Sequence, residues 1–418
     1  MRKVLSVVAA ATMVAGLAGC AAGGAGAGDG GETVLTVWGW RTDAPWQELM
    51  ESFSGDGIRV DYKSYKAEEY NQILQTGLSS SSGPDVVMLR SYGGLQTLVA
   101  GGGVATLPED FPGLAKIPAN LVDGVRSQED GKVYGVPFQS VTANVVYNKT
   151  VLDDLGLSEP TTWDDFLALN DALLAEGVTP MAAGALDSWI LPIYRDLFAA
   201  AQYGGPEFSQ KLMDGSTTFE DDGYTRANQT LKDLTKYFPK GFEGLSYADA
   251  NALFVSGEAA LYPGGIWELT AFQKDMADAE LGIFTVPSVT GGEPFAMGYL
   301  DGAIGMSSKL TGDKAEAAEE FLTWVGSEEF GQRIADDLLS IPAVDGVTPK
   351  DPLLAESAAA FAANPTPYLT YVGFDFGTPT GTSLEYASLQ KLVIGDIPAA
   401  QVGKDVQAGI SQWFEPAP

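Results

Sequence analysis

The order of apolar segments near the start of the chain constrains its fold more than any other feature. Residues 34–37 form a short apolar run that predicts a buried strand, and residues 58–62 and 84–89 predict two more. The segments between them place apolar side chains at helical spacing, and Asp43 with Pro45 fits the start of the first helix. This strand–helix–strand–helix–strand order predicts a parallel sheet with helices on its faces.

A second region of the same α/β character follows residue 138. It shows apolar segments of strand length or of helical periodicity, which predict strands at 144–148 and 259–262 and helices at 163–176, 188–201, 224–238 and 247–255. Residues 283–286 and 303–306 predict strands that return the chain to the first region. We therefore predict an α/β protein of two lobes, each a mostly parallel sheet flanked by helices, joined by a hinge with several crossovers.

The predicted returns of the chain set the boundaries of the two lobes. Lobe 1 comprises residues 33–138 and 288–340, and lobe 2 comprises residues 139–287 and 341–418. Open parallel sheets bind ligands beyond the carboxyl ends of their strands, so we expect the functional site in the cleft between the lobes.

The N-terminal residues predict export. Arg2 and Lys3 precede an apolar segment at 4–17, which is shorter than the roughly 20 residues needed to span a bilayer. This arrangement is typical of a signal peptide.

The only cysteine of the chain follows that segment. Small residues at 17–19 lead to Cys20, and the order resembles the lipobox of bacterial lipoproteins. The resemblance implies a signal peptide at residues 1–20, a lipidated Cys20 and anchoring to the outer face of the cytoplasmic membrane. The alternative is an ordinary secretory signal with a chance cysteine. Residues 21–32, mostly glycine and alanine, predict a flexible tether.

The composition excludes several classes of function. The chain has 24 basic and 55 acidic residues, a net charge of −31, so neither nucleic acid nor an anionic lipid surface is an expected partner. It has no histidine, which excludes Ser-His-Asp and Cys-His nucleophiles and histidine-based zinc sites. We predict no metal and no cofactor. A carboxylate pair of the glycosidase kind stays possible, because it needs only Asp or Glu.

Three groups of motifs resemble one protein family. The first is VYGVPF at 133–138, followed by VVYNK at 145–149 and PTTWDDF at 160–166. The second is FVSGEAA followed by GGIW, spanning 254–267, and the third begins at 303–309 and continues to an IPA segment beyond the next helices. In order and spacing they are similar to the extracellular solute-binding proteins of bacterial ABC importers, family 1 type, in the branch that carries sugars and oligosaccharides.

The resemblance implies a periplasmic-binding-protein fold and a binding protein that is not an enzyme. Its two lobes would close on a sugar or oligosaccharide and then dock on the transmembrane permease subunits of the importer. We expect a monomer that meets the membrane only through its lipid anchor.

The resemblance also implies a set of ligand-binding positions and no catalytic residue. A sugar offers apolar faces and a rim of hydroxyls, so its binder needs flat aromatic rings and hydrogen-bonding groups. Trp267 is the strongest candidate, and Trp40 is favoured over Trp38 because it lies farther past the strand end. The predicted ligand-binding residues are Trp40, Arg41, Asp43, Arg90, Tyr92, Gln139, Asp187, Trp189, Trp267, Tyr299, Asp301, Asp375 and Phe376.

Two positions depart from the family pattern, and other functions stay open. Arg90 stands where the family often has an acidic residue, and Val141 where it frequently has an aspartate. Arg90 could donate to sugar hydroxyls or indicate a ligand with a carboxylate or sulfate group. The alternatives are a secreted glycoside hydrolase or lyase with a carboxylate pair, or the same fold binding a polyamine, a peptide or ferric iron. A polyamine could use Asp43, Asp187 and Asp301.

Overall fold

A computed structural model describes residues 32–416. The predicted signal peptide, Cys20 and all of the predicted tether except Glu32 lie outside the described residues. The described residues form ten strands, which are β1 Thr33–Gly39, β2 Ile58–Ser64, β3 Val86–Arg90, β4 Val136–Asn148, β5 Thr179–Met181, β6 Ala259–Gly265, β7 Leu281–Phe284, β8 Ala296–Met306, β9 Ile341–Pro342 and β10 Pro365–Pro367.

Seventeen α-helices connect and cover these strands in the described part of the chain. They are α1 Ala44–Glu51, α2 Ala67–Ser79, α3 Gly93–Ala100, α4 Ala119–Asp123, α5 Lys149–Asp154, α6 Trp163–Ala175, α7 Leu191–Tyr203, α8 Pro206–Met213, α9 Asp222–Leu234, α10 Tyr247–Val255, α11 Leu269–Asp275, α12 Asp313–Val325, α13 Glu328–Leu338, α14 Pro352–Ala363, α15 Leu369–Phe374, α16 Gly381–Val393 and α17 Ala399–Ile410. None of them is long and apolar enough to cross a membrane.

The first β-α-β-α-β unit forms as the apolar pattern predicts. Strand β1 pairs in parallel with both β2 and β3. Alternate residues of β1, such as Leu35 and Val37, are fully buried, while α1 begins at the Asp43 cap and buries Trp46. The parallel pairing brings the carboxyl ends of β1 and β3 to the same edge of the sheet.

The two longest strands, β4 and β8, pass from one hydrophobic core to the other. They pair antiparallel over most of their length, so the sheet as a whole is mixed. On β4, Phe138 lies in the first core and Ala143 in the second, and on β8 Leu300 and Met297 divide in the same way. The sequence pattern predicted only the carboxyl-terminal part of each strand. Polar residues interrupt the apolar runs of β4 and β8, so the pattern does not show that each is one long strand that packs in both cores.

The hydrophobic clusters show how the remaining segments divide between the lobes. The first core includes buried residues of α12 and α13, and the second includes buried residues of α15, α16 and α17. Ala343 and Val344 pack in the first core, although the predicted boundary assigns them to lobe 2, because they follow α13 directly and fold back on it at Gly331. Met297 packs in the second core, although the predicted boundary assigns it to lobe 1.

Candidate functional site

A cavity of about 440 Å³ lies where the two cores meet. Residues at the carboxyl ends of β1 and β3 line one side of it. Side chains of β4 and β8 and two tryptophans that pack on the second core complete most of the lining. The lining residues are Trp40, Arg41, Ala67, Arg90, Val141, Trp189, Trp267, Tyr299 and Asp301. Seven of these nine residues belong to the predicted ligand-binding set. Their role in binding stays a prediction.

Trp40 and Arg90 form the wall that the first lobe contributes. Trp40 is 6 % exposed, and its ring meets the edge of Tyr70 at 5.5 Å between centroids. The Arg90 guanidinium carbon lies 4.1 Å from the centroid of the Trp40 ring, which is a close cation–π contact. Trp38, two residues earlier, packs instead against Tyr65 outside the cavity, at 5.0 Å between ring centroids. The turn after β1 therefore separates the two tryptophans that simple alternation would place on one face.

Trp267 and Trp189 form the opposite wall. The Trp267 indole Nε1 donates a hydrogen bond to the Tyr247 hydroxyl oxygen at 2.7 Å, and that hydroxyl donates to Glu268 Oε1 at 2.8 Å. Trp189 packs on Tyr247 with centroids 4.9 Å apart, and 6.3 Å separate its ring from that of Trp267. Both indoles are half-buried and share one tyrosine as support, so the second lobe presents a fixed aromatic surface.

A glycine makes room for the Trp267 ring. A Cβ atom on Gly265 would lie 1.8 Å from Cζ3 of Trp267, far inside ordinary contact distance. Only glycine therefore fits at position 265, because the Trp267 ring lies directly over the Gly265 backbone.

Asp301 contributes a carboxylate to the cavity, and Gln139 holds it. Gln139 is fully buried and its Nε2 donates to Asp301 Oδ2 at 2.7 Å. This bond links β4 to β8 beside the register irregularity between Pro137 and Ser140. Gln139 was predicted as a direct ligand contact; the structure places it behind Asp301, where it positions that carboxylate.

Tyrosines surround the Tyr299 side of the cavity. The Tyr299 ring packs edge-on against Tyr368 and Tyr371, with centroids 5.5 and 5.2 Å apart. Burial raises the pKa of Tyr371 to about 12 and raises the pKa of Tyr299 well above its usual value. These hydroxyls therefore stay neutral at physiological pH and act as hydrogen-bonding groups. Tyr368 and Tyr371 follow the short strand β10, and no sequence motif there indicates that they pack beside Tyr299.

Three more predicted residues support neighbouring structure and do not line the cavity. Asp43 caps α1 and accepts a hydrogen bond from the backbone N–H of Trp46 at 3.2 Å. Asp187 accepts from the backbone N–H of Tyr247 at 2.7 Å, beneath Trp189. The hydroxyl of Tyr92 accepts from the backbone N–H of Leu300 at 3.3 Å. Each of these side chains holds a backbone N–H group of the protein, and its contact with a ligand stays a prediction.

The last two predicted residues, Asp375 and Phe376, also lie outside the cavity lining. Phe376 packs on Trp413 with ring centroids 5.8 Å apart. Asp375 follows α15, and its backbone lies so close to Gly93 that a Cβ there would overlap it. Burial raises the pKa of the Asp375 carboxyl to about 6. The predicted C-terminal segment thus touches the first lobe at α3, beside the cavity.

The chemistry available in the cavity is that of stacking and hydrogen bonding. Its lining holds three indoles, one phenol, two guanidiniums and one carboxylate. Ala67 and Val141 complete the lining and were not predicted; the first is small and the second stood out only by its departure from the family pattern. Residues 32–416 contain no cluster of three or more Asp, Glu, His or Cys side chains suited to a metal ion.

Comparisons with known proteins agree on one family. The profile of the bacterial extracellular solute-binding proteins matches residues 39–332. The chain is 25% identical over 317 residues to the "Multiple sugar-binding protein" of Streptococcus mutans, covering 73% of each chain. It is 27% identical over 396 residues to the "Diacetylchitobiose binding protein DasA" of Streptomyces coelicolor, covering 87% of this chain and 86% of that one.

A solved structure described as "Chitin oligosaccharide binding protein" shares the fold. Its TM-score is 0.76 at 22% sequence identity, and the match covers 91% of this chain and 98% of that one. The predicted two-lobed α/β fold is thereby confirmed. Because the family profile matches most of the chain, this protein belongs to the bacterial extracellular solute-binding protein family.

Proposed function

We propose that this protein captures a sugar or oligosaccharide in the cavity between its lobes and delivers it to an ABC importer. The observation that carries the proposal is the placement of Trp40 on one wall and of Trp189 and Trp267 on the other. Sugar rings expose apolar C–H faces that stack on indoles. The names of the relatives from Streptococcus mutans and Streptomyces coelicolor, both sugar-binding proteins, support the same class of ligand.

The polar lining suits the rim of a sugar ring. Asp301 can accept hydrogen bonds from sugar hydroxyl groups, while Arg41 and Arg90 can donate to them. A hydroxyl group therefore finds a partner in the cavity both as a donor and as an acceptor. A buried polar group without a partner costs about 1–3 kcal/mol, so these side chains discriminate against ligands with the wrong hydroxyl pattern.

Ligand capture is coupled to closure of the lobes. A ligand shifts the open–closed equilibrium only by its difference in affinity for the two states. Trp40 and Arg90 belong to one lobe, and Trp189 and Trp267 to the other, so a sugar contacts both walls fully only when the lobes are closed. The closed form then docks on the permease as a monomer, tethered to the outer face of the cytoplasmic membrane through lipidated Cys20.

The binding role is favoured over a hydrolase because the cavity lining contains one carboxylate, Asp301, and it is held by Gln139. A glycoside hydrolase of the common kind places two carboxyl groups across the scissile bond. Chromatography of the sugar after incubation with the protein tests this directly. An intact sugar is expected, and release of shorter products with time would overturn the binding role.

Thermal unfolding of the purified protein against a panel of neutral and acidic mono- and oligosaccharides, polyamines and ferric citrate tests the ligand class. A ligand at 100 times its Kd adds about 2.7 kcal/mol to the free energy of unfolding and raises the melting temperature. Trp267→Ala should abolish most of that shift. Trp163→Ala removes another half-buried tryptophan of the second lobe, outside the cavity, and should preserve it. A shift with polyamine or iron alone would contradict the sugar assignment.

A further inference from the structure

The two arginines of the cavity differ from the other arginines of the described chain. Four of the seven arginines in residues 32–416 form ion pairs with carboxylates. The three without a carboxylate within 4 Å among the described residues are Arg41, Arg90 and Arg226. Arg226 is exposed on α9, where water solvates it, whereas Arg41 and Arg90 are half-buried and line the cavity.

Aromatic rings hold both cavity guanidiniums in place. Arg90 lies over Trp40 at 4.1 Å, and Arg41 lies over Trp46 at 5.3 Å from guanidinium carbon to ring centroid. A cation–π contact uses the face of the guanidinium plane and leaves its N–H groups at the edge for other partners. The Arg41 Nε atom is buried and has no hydrogen-bond partner among the described residues. Within residues 32–416 as described, the cavity therefore holds a guanidinium donor, Arg41 Nε, without a protein partner.

The charge of the cavity is opposite to the charge of the chain. The chain carries a net charge of −31, but the cavity lining has two arginines and one aspartate. Arg41 follows the end of β1 and Arg90 ends β3, and these strands are parallel neighbours. Parallel strands lie about 4.8 Å apart, so the two arginine side chains start from neighbouring positions at one edge of the sheet.

We infer that the ligand is an acidic oligosaccharide whose carboxylate, as in a uronic acid residue, is bound by Arg41 and Arg90. This inference rests on the function proposed above and names the class of sugar. A guanidinium matches a carboxylate in geometry and binds it through two parallel N–H···O bonds. Asp301, on strand β8 directly beside β3, remains the acceptor for the hydroxyls of the same or the next ring.

Calorimetric titration of the protein with matched pairs of oligosaccharides tests the inference. One pair is xylotriose with and without a glucuronic acid branch, and the other is trigalacturonate against neutral galactotriose. In at least one pair the acidic member should bind about 10-fold or more tightly, as expected for charge-assisted hydrogen bonds. Equal or tighter binding of the neutral member in both pairs would overturn the acidic ligand and keep the proposed function. Binding of none of the four would count against both.

Substitution of each arginine tests whether these two side chains cause the preference for the acidic oligosaccharide. Arg90→Gln and Arg41→Gln should each lower affinity for the acidic member by about 10- to 100-fold and affinity for the neutral member by a clearly smaller factor, because glutamine still donates to hydroxyls but carries no charge. Arg226→Gln is the matched control and should change neither. Equal losses for both members of a pair would contradict carboxylate recognition. If a variant does not fold, as judged by its melting curve, the wild-type preference within the matched pairs decides the question.

Discussion

Gly265→Ala is the sharpest structural test of the second-lobe wall. The added Cβ would lie 1.8, 2.0 and 2.1 Å from three ring atoms of Trp267, whereas ordinary contacts begin near 3.4 Å. The ring must therefore move by about 1.5 Å, as the shortfall from ordinary contact distance requires. A shift of that size removes the 2.7 Å hydrogen bond from Trp267 Nε1 to Tyr247. The substitution acts without deleting any atom that contacts the ligand.

The expected cost has two parts. Overpacking of this kind costs about 1–3 kcal/mol, and the lost hydrogen bond adds about 1 kcal/mol to the loss of stability. Loss of a stacking partner costs about 0.5–1.5 kcal/mol in ligand affinity, or roughly a 2- to 12-fold rise in Kd. Urea unfolding measures the first part, and calorimetric titration with the saccharide that gives the largest melting shift measures the second.

The matched control is Gly244→Ala, at an exposed glycine whose added Cβ would have no atom within 4 Å. It should change neither stability nor affinity by a measurable amount. Wild-type stability and affinity in Gly265→Ala would refute the reasoning, because they would mean that the Trp267 ring does not lie over the Gly265 backbone. A loss of stability with unchanged affinity would keep the packing argument and remove Trp267 from the binding surface.

Four further substitutions, one of them an exposed control, test single contacts of the described chain. Gln139→Leu should lower the free energy of unfolding by about 1–3 kcal/mol and weaken sugar binding, because Asp301 loses the 2.7 Å hydrogen bond from Gln139 Nε2. Unchanged affinity on calorimetric titration would show that the Asp301 carboxylate does not need this bond to hold its position. Glu385→Ala removes a partner of a fully buried arginine and should cost about 3–5 kcal/mol in urea unfolding, whereas Glu207→Ala in an exposed pair should leave the unfolding curve almost unchanged. The pKa of Asp375 is raised to about 6 by burial, so the folded state binds this proton more tightly than the unfolded state does. The protonated Asp375 carboxyl therefore stabilises the fold below about pH 4, and this stabilisation is lost as the pH rises through about 6. Asp375→Asn should lessen the fall in the free energy of unfolding between pH 4 and 7 by at most about 3 kcal/mol. Parallel pH profiles for wild type and variant would contradict this.

The sequence pattern predicted the first lobe well because its signals are local. The apolar run of β1 and the Asp43 cap of α1 act within a few residues, and the structure confirms both elements. Arg90 became a candidate through the family resemblance, which implies a ligand contact at the end of this buried strand. Motif order supplied the rest, since Trp267 follows a Gly-Gly pair whose steric role the structure explains.

Contacts between distant segments could not be read from the sequence. Gln139 and Asp301 are 162 residues apart, and their hydrogen bond depends on the register irregularity in the pairing of β4 with β8. The aromatic group around Tyr299 brings Tyr368 and Tyr371 from a segment without any motif. Asp187 is a candidate because its loop resembles a recognition loop of the family, and the sequence does not show that the backbone N–H of Tyr247, 60 residues away, donates to its carboxylate.

The division of the cavity between strands and lobes indicates what each residue contributes to binding. Tyr299 and Asp301 lie at alternate positions of β8, on one face of a strand that both cores share. If the lobes close as proposed, a hinge motion moves such a shared strand least, so we expect these two side chains to hold the ligand in the same position in open and closed forms. Trp40 packs in the first core and Trp267 against the second, so closure of the proposed kind would change the distance between them. Their contacts therefore differ between the two states, and only differing contacts drive closure.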